Sequence, residues 1–132
     1  MATGSNAKSV PNWLLVGTYT HSCDSAGIYC YSFDSADGSA KLHSHTTKCS
    51  NPSFLTVSQD RNFVYCVNED GKQSTISCYN LDKTSHQFHF YDKHPSEGAD
   101  PCYIINDDRH SIVANYSDGT LAVFEKDRKS VV

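Results

Sequence analysis

The sequence predicts an all-β fold built from a repeated unit of about four short antiparallel strands. Short runs rich in Val, Ile, Tyr and Phe alternate with turn-forming pairs such as Asp-Gly and Asn-Pro, which is typical of strands and hairpins. No segment has the long 3.6-residue periodicity of an amphipathic helix. Similar segments also recur at a nearly constant spacing, and a repeat of about 40–50 residues with four strands is typical of a β-propeller blade.

One repeated segment occurs three times along the chain. It reads "GIYCYSFD" at 27–34, "TISCYNLD" at 75–82 and "TLAVFEKD" at 120–127. The isoleucine, cysteine, tyrosine and aspartate of the first copy recur 48 residues later (28 to 76), and the third copy follows after 45 (75 to 120). Identical residues at fixed offsets indicate a structural repeat, so each copy is predicted to form the third strand, C, of a blade.

A second repeated segment lies between copies of the first. "NPSFLTVSQDRNFVYCVNE" (51–69) parallels "DPCYIINDDRHSIVANYS" (100–117), and "WLLVGTYT" (13–20) corresponds to its later half. The chain therefore reads as strands B-C-D of one blade, A-B-C-D of the next and A-B-C of a third, about two and a half blades. The matched pairs are Pro52 and Pro101, Phe54 and Tyr103, and Asn68 and Asn115.

These repeats set the predicted element boundaries. A β-sandwich of ten short strands is the alternative, and the fixed offsets favour the propeller. The domain prediction is a polar tail at 1–12, blades at 13–47, 51–92 and 100–127, and a tail at 128–132. The predicted strands are 13–18, 27–33, 41–47, 53–58, 62–68, 75–81, 86–92, 102–106, 111–115 and 120–125.

Composition excludes several kinds of partner. Eleven basic and fifteen acidic side chains give a formal charge of −4, which argues against nucleic acid or an anionic membrane surface. No apolar run approaches the roughly 18 residues needed to span a bilayer. Residues 1–12 lack the apolar core of a secretory signal, so a cytoplasmic location is expected. Six cysteines without a close Cys-x-x-Cys pair are expected to be reduced, buried or half-buried thiols.

The polar residues that could carry chemistry gather in two classes of connection. In a four-stranded antiparallel blade the D–A and B–C connections lie on one face of the ring, and the A–B and C–D turns on the other. Loops of neighbouring blades therefore converge near the axis on the first face. We predict Glu69 as the catalytic general base. The predicted substrate-binding residues are Tyr19, Asn51, Asn68, Asp100, Asn115 and Tyr116.

Structural explanations for these residues stay open. Asn51 and Asp100 precede prolines and are ordinary turn formers, and a solvated turn residue explains Glu69 equally well. Asn115 and Tyr116 could instead pack between blades. We expect no Lys or Arg on this face, because Arg61 and Arg109 fall in the opposite turns.

Other catalytic signatures are absent from the sequence. It contains no Gly-x-Ser-x-Gly, no His-Glu-x-x-His and no glycine-rich phosphate loop. His43 and His45 are predicted to share one face of a strand, but no third ligand lies nearby, and no metal site is predicted.

The quoted segments, with "LLVGTYT", "GADPCYI" and "ANYSDGTLAVFEKD", resemble the N-terminal part of the seven-bladed propeller lactonase family, from about residue 13 to 127. That family is typified by bacterial 6-phosphogluconolactonase. The resemblance implies hydrolysis of a small sugar lactone, 6-phosphogluconolactone to 6-phosphogluconate in the pentose phosphate pathway, without a cofactor. The alternatives are a non-catalytic propeller module that binds a ligand or protein, and an enzyme of the related muconate-lactonising type.

The resemblance covers only the first blades of such a ring. Seven blades of about 45–50 residues need well over 300 residues, and the family's His- and Arg-containing site segments belong to later blades. We therefore expect a truncated form, whose own activity the sequence leaves open. We also expect two uncovered sheet faces to cause self-association, domain swapping or marginal stability.

Overall fold

Residues 12–126 are described by the computed structural model, which places them in three antiparallel sheets. The first sheet contains β1 (Asn12–Gly17), β2 (Ile28–Phe33) and β3 (Ala40–Thr46). The second contains β4 (Phe54–Val57), β5 (Phe63–Asn68), β6 (Thr75–Leu81) and β7 (Phe88–Pro95). The third contains β8 (Pro101–Asn106), β9 (His110–Asn115) and β10 (Thr120–Glu125).

The order of strands confirms the partial propeller. Each sheet is a meander in which strands that follow one another in the chain pair side by side, with three, four and three strands. All ten predicted strands are present, and the one helical element among residues 12–126 is a short 3-10 helix at Gly71–Gln73. No helix in this part of the chain is long and apolar enough to cross a membrane.

The strand with the largest boundary error is β7, which was predicted at 86–92 and lies at Phe88–Pro95. Its start is delayed because His86 belongs to the preceding turn, with a positive φ of 57° and its N–H donating to the Asp82 carbonyl at 2.8 Å. The Asp82 side chain closes the same turn by accepting the Thr84 N–H at 2.9 Å. An Asp turn of this kind holds the chain out of the extended conformation.

Aspartates stabilise the A–B and C–D turns, which lie opposite the face predicted to carry the functional residues. In the β4–β5 and β8–β9 turns, Asp60 and Asp107 each accept a backbone N–H from two residues further on, at 3.0 and 2.7 Å. Hydrogen bonds from Ser58 and Asn62 lower the pKa of Asp60, and the backbone N–H groups of Arg109 and His110 lower that of Asp107. These carboxylates stabilise hairpin turns as local acceptors.

The second sheet is apolar on both faces because a sheet packs against each of them. Side chains alternate along a strand, so Tyr65 and Val67 of β5 point to the third sheet while Cys66 points to the first. The core cluster between the second and third sheets contains Tyr65, Val67, Ile76, Cys78, Ile104 and Val113. The cluster between the first and second contains Ile28, Cys66 and Tyr79.

A register shift recurs at the same place in two sheets. It falls between Cys30 and Tyr31 in the β2–β3 pair and between Cys78 and Tyr79 in the β6–β7 pair, 48 residues apart in each case (30 to 78). In the first sheet the shift leaves His43 without a cross-strand partner. The repeat read from the sequence therefore extends to an irregularity of the backbone.

The cysteines are all free, and their burial differs from the prediction at two positions. Cys30, Cys66 and Cys78 are buried, and burial raises the pKa of Cys66 and raises that of Cys78 to about 12. Cys23 and Cys102 are exposed, so the expectation of buried or half-buried thiols is wrong for them. Cys23 lies in the β1–β2 loop, which no core cluster covers.

These environments predict two classes of thiol reactivity. In the native protein, an aromatic disulfide reagent should modify Cys23 and Cys102 at least about 10²-fold faster than Cys66 and Cys78, because the thiolate is the reacting form and burial suppresses it. Mass spectrometry of time-quenched samples measures the rates site by site. In concentrated urea the same sites should react at similar rates, and rapid native labelling of Cys66 would contradict the packing of the core.

Candidate functional site

The predicted loop face exists and is held together by contacts between connections of different sheets. The β1–β2 and β5–β6 loops meet the β3–β4 connection, and the β5–β6 and β9–β10 loops meet the β7–β8 connection. Two residues make these junctions, and we call Asn51 and Asp100 the junction residues. Each precedes a buried proline, and each has a positive φ, 43° and 51°.

Asn51 ties the first sheet to the second. Its Oδ1 accepts the backbone N–H groups of Thr20 at 2.8 Å and His21 at 3.2 Å, and its Nδ2 donates to the Glu69 carbonyl at 2.8 Å. The Glu69 N–H returns a hydrogen bond to the Asn51 carbonyl at 3.2 Å. The side chain is buried, so these contacts occupy the amide that was predicted to bind substrate.

Asp100 makes the corresponding junction between the second and third sheets. Its Oδ1 accepts the Gly71 N–H at 2.9 Å and its Oδ2 accepts the Ser117 hydroxyl at 2.6 Å. The Tyr116 N–H donates to the Asp100 carbonyl at 2.9 Å, as Glu69 does to Asn51. Both junction residues therefore have a structural role, in which their side chains hold neighbouring connections together.

Glu69 lies at the first junction with both carboxylate oxygens oriented by neighbours. Its Oε2 accepts the Tyr19 phenol at 2.6 Å, and its Oε1 accepts the Ser53 hydroxyl. Hydrogen bonding to Glu69 is the main cause that raises the pKa of Tyr19, and the negative charge of Asp100 adds to it. Tyr19 is therefore held as a neutral donor beside a half-buried carboxylate.

Two tyrosines of the predicted set present their rings to solvent on this face. Tyr19 is 52% exposed and Tyr116 is 80% exposed, although the backbone of Tyr116 is fixed by Asp100. Exposed rings on an anchored backbone lose little entropy when they contact a ligand. Of the predicted residues, Tyr19, Glu69, Asp100 and Tyr116 have side chains that are not buried.

Asn68 and Asn115 occupy equivalent buried positions where strand B ends. Asn68 donates to Thr75 Oγ1 at 3.0 Å and Ser77 Oγ at 2.7 Å, and Asn115 donates to the Ser96 carbonyl at 3.2 Å. They are 3% and 2% exposed. Both amides are therefore buried beneath the loops, where they hold neighbouring strands and connections together. A ligand on the loop face would not touch them.

Several residues on this face were missed by the sequence analysis. Ser53 contacts Glu69, and His21 lies between Ser50, at 2.7 Å, and Asp70, at 4.0 Å. The signal for Ser53 was its place two residues after Asn51, in the same connection as a predicted site residue.

The expectation that this face carries no Lys is wrong. Lys48 lies in the β3–β4 connection and Lys72 in the helix at Gly71–Gln73, and both are exposed. Both connections were assigned to this face from the sequence, so the lysines could have been found there.

The two histidines proposed as neighbours on one strand face are separated. The register shift in β3 turns His43 toward Trp13, with ring centroids 4.9 Å apart, whereas His45 lies 5.9 Å from Tyr29 on the other side of the sheet. Within residues 12–126 no group of three or more His, Cys, Asp or Glu side chains is arranged to hold a metal.

Comparison with known proteins places the chain among propeller lactonases. The family described as "Lactonase, 7-bladed beta-propeller" matches residues 13–132. A 6-phosphogluconolactonase of Formosa agariphila is 28% identical over 118 residues, which cover 86% of this chain and 33% of that protein.

Solved structures agree with this likeness. A protein of Bacteroides fragilis, provisionally assigned as a 6-phosphogluconolactonase, superimposes with a TM-score of 0.87 at 34% identity, over 96% of this chain and 35% of that one. The periplasmic gluconolactonase of Pseudomonas aeruginosa gives a TM-score of 0.81 at 34% identity, over 92% and 36% of the two chains. The chain thus spans about a third of the length of these relatives.

The junction contacts predict unequal losses of stability for two similar substitutions. Asn51→Asp should lower the free energy of unfolding by about 1–3 kcal/mol, because a carboxylate oxygen would replace the amide that donates to the Glu69 carbonyl. Asp100→Asn should cost less, since the Ser117 hydroxyl can reverse its hydrogen bond and accept from the new amide. Urea unfolding followed by circular dichroism measures both, and equal losses would contradict the assigned donor and acceptor roles.

Proposed function

Because the chain belongs to the family of seven-bladed β-propeller lactonases, we propose that the protein hydrolyses a sugar lactone. The proposed substrate is 6-phosphogluconolactone and the product is 6-phosphogluconate, in the pentose phosphate pathway. The observation that carries the proposal is the oriented carboxylate of Glu69 at the loop junction, with Tyr19 and Ser53 as its donors. A cytoplasmic location stays a prediction from the sequence.

Lactone hydrolysis requires a base that is held in place and a face that admits the sugar. Water attacks the lactone carbonyl carbon while a base takes one of its protons, and the tetrahedral oxyanion then breaks the bond to the ring oxygen. The ring oxygen takes up a proton and becomes a hydroxyl, and the new carboxylic acid ionises. We assign the proton acceptor to Glu69, whose position is fixed by the first and second sheets.

The surrounding residues fit the remaining tasks on a sugar substrate. The ring faces of Tyr19 and Tyr116 suit the apolar face of a sugar, and the polar rim of the loops suits its hydroxyl groups. For a phosphorylated substrate, Lys48 and Lys72 are cations on the same face that could attract the phosphate. Hydrolysis of this kind requires no redox cofactor.

A non-catalytic binding module is the second candidate, and one observation favours it. Both carboxylate oxygens of Glu69 already accept hydrogen bonds from protein hydroxyls, as in a carboxylate that serves only to position a loop. In that case Glu69 would fix Tyr19 for ligand contact, and the loop face would bind a sugar acid without turning over a lactone.

Substitution of Glu69 separates the two candidates. If Glu69 is the base, Glu69→Gln should lower kcat for 6-phosphogluconolactone by roughly 10²–10⁴-fold with a small change in KM. Proton release recorded with a pH indicator, corrected for spontaneous hydrolysis, measures the rate. Glu125→Gln removes an exposed carboxyl of β10 as the matched control and should leave kcat unchanged.

The binding-module candidate predicts a different result. The 132-residue chain would then show no turnover above background, yet Tyr116→Ala would weaken gluconate binding measured by calorimetry. Unchanged turnover in Glu69→Gln would exclude Glu69 as the base and leave another group to be found.

A further inference from the structure

His21 lies at the first junction, between a serine hydroxyl and a carboxylate. Its Nε2 is 2.7 Å from Ser50 Oγ, and its Nδ1 is 4.0 Å from Asp70 Oδ1. In outline this is the arrangement of serine hydrolases, in which the imidazole takes the serine proton and the serine attacks the substrate. The direction of the hydrogen bond between His21 and Ser50 therefore decides what the serine can do.

Asn51 fixes that direction. Its Oδ1 accepts the backbone N–H groups of Thr20 and His21, at 2.8 and 3.2 Å, so the oxygen and nitrogen of this amide cannot be exchanged. Its Nδ2 lies 3.3 Å from His21 Nδ1 and donates one hydrogen to it. An imidazole nitrogen that accepts carries no hydrogen, so the neutral ring has its hydrogen on Nε2. His21 therefore donates to Ser50, which is the reverse of the direction in a serine hydrolase.

This direction leaves the Ser50 hydroxyl with a hydrogen to give. The other hydroxyls at this junction donate to a side-chain oxygen of Asn51 or Glu69, and they belong to Tyr19, Thr20 and Ser53. Within residues 12–126, the half-buried Ser50 makes its side-chain hydrogen bond with His21 alone. A hydroxyl that accepts one hydrogen bond is also a stronger donor in a second.

The same amide holds the proposed base. The second hydrogen of Asn51 Nδ2 goes to the Glu69 carbonyl at 2.8 Å. Ser50 directly precedes Asn51, and Tyr19, which donates to the Glu69 carboxylate, lies two residues before His21. The carboxylate and the free hydroxyl hydrogen are thus positioned by one junction, which suits groups that act on the same substrate.

We propose that Ser50 donates its hydrogen bond to the carbonyl oxygen of the lactone, and that His21 is the positioning residue that orients the hydroxyl. The assignment rests on the proposed lactone hydrolysis. When water adds to the carbonyl carbon, the carbonyl oxygen gains negative charge, and a fixed donor stabilises that charge in the transition state. Ser50 keeps its proton and forms no covalent bond with the substrate.

Nitrogen NMR of the 132-residue chain tests the direction of the hydrogen bond without any turnover. At alkaline pH, long-range ¹H–¹⁵N spectra should show His21 with a bare Nδ1 and a protonated Nε2. Asn51→Asp replaces the donor by an acceptor and should move the hydrogen to Nδ1, with circular dichroism as the check of folding. A wild-type ring protonated on Nδ1 would overturn the proposal, whatever the variant does.

Labelling gives a second test that needs no substrate. A fluorophosphonate modifies serines that are activated as nucleophiles. Ser50 should stay unmodified in the native chain, as measured by mass spectrometry, because His21 donates to it. Phosphonylation of Ser50 would show the opposite direction of the hydrogen bond and exclude the donor role.

Turnover of 6-phosphogluconolactone tests the role of the hydroxyl. Ser50→Ala should lower kcat roughly 10²–10³-fold with a small change in KM, whereas Ser50→Thr keeps a hydroxyl and should restore most of the rate. Ser85→Ala removes an exposed hydroxyl of the β6–β7 turn, on the opposite side of the sheets, and should leave kcat unchanged. Equal losses in Ser50→Ala and Ser50→Thr would contradict the assignment.

Substitution of His21 separates orientation from packing. His21→Gln keeps an N–H donor for Ser50 and should retain most of kcat, while His21→Phe keeps the ring shape without a donor and should lower kcat about tenfold. The reverse order would contradict the role of Nε2.

The donor role and the proposed hydrolysis fail in different ways. If Glu69→Gln loses turnover and Ser50→Ala does not, hydrolysis stands and the donor role of Ser50 is excluded. If the wild-type chain has no turnover above background, the proposed hydrolysis fails, and calorimetry with gluconate tests the donor, since its carboxylate presents a charged oxygen. Ser50→Ala should then raise the Kd of gluconate at least about tenfold, and an unchanged Kd would overturn the donor role.

Discussion

The hydrogen bonds of the two junction residues determine the geometry of the whole loop face. Asn51 and Asp100 stand where the chain passes from one sheet to the next, and each joins the loop of the preceding sheet to the loop of its own. A positive φ is needed there, and Asn and Asp adopt it more readily than other non-glycine residues. The Asn51 backbone carbonyl accepts the Glu69 N–H, and the Asn51 side-chain amide donates to the Glu69 carbonyl. The position of the Glu69 carboxylate therefore follows from the sheet packing.

Among residues 12–126, burial of apolar side chains is most extensive in the second sheet. Its β5 and β6 strands bury side chains on both faces, while the first and third sheets bury one face each. Within residues 12–126 the apolar area removed from water is therefore largest in the second sheet. Glu69 directly follows β5, which is buried on both faces. This packing holds the backbone of Glu69 in place and so helps to orient its carboxylate.

The fold could be predicted from the sequence because the repeat supplies independent copies of each signal. Ile28 with Ile76 and Pro52 with Pro101 fixed the strand order, and the site face followed from the topology. The burial of Asn68 and Asn115 at the ends of their strands could not be predicted. It depends on hydrogen bonds to Ser77 and Ser96, whose positions are known only from the folded structure. The turning of His43 depends on a one-residue register shift that leaves no trace in the pattern of side chains. For Glu69 the sequence indicated the face, and the structure supplied the donors Tyr19 and Ser53.

The repeated register shift also affects how β3 and β7 meet solvent. These are the outermost strands of their sheets, and an outermost strand offers unpaired N–H and C=O groups on which a foreign strand can grow. An extra residue such as His43 bends and twists the strand and breaks the even spacing of those groups. At β3 and β7 the irregularity therefore disfavours pairing of a foreign strand along the edge of the sheet.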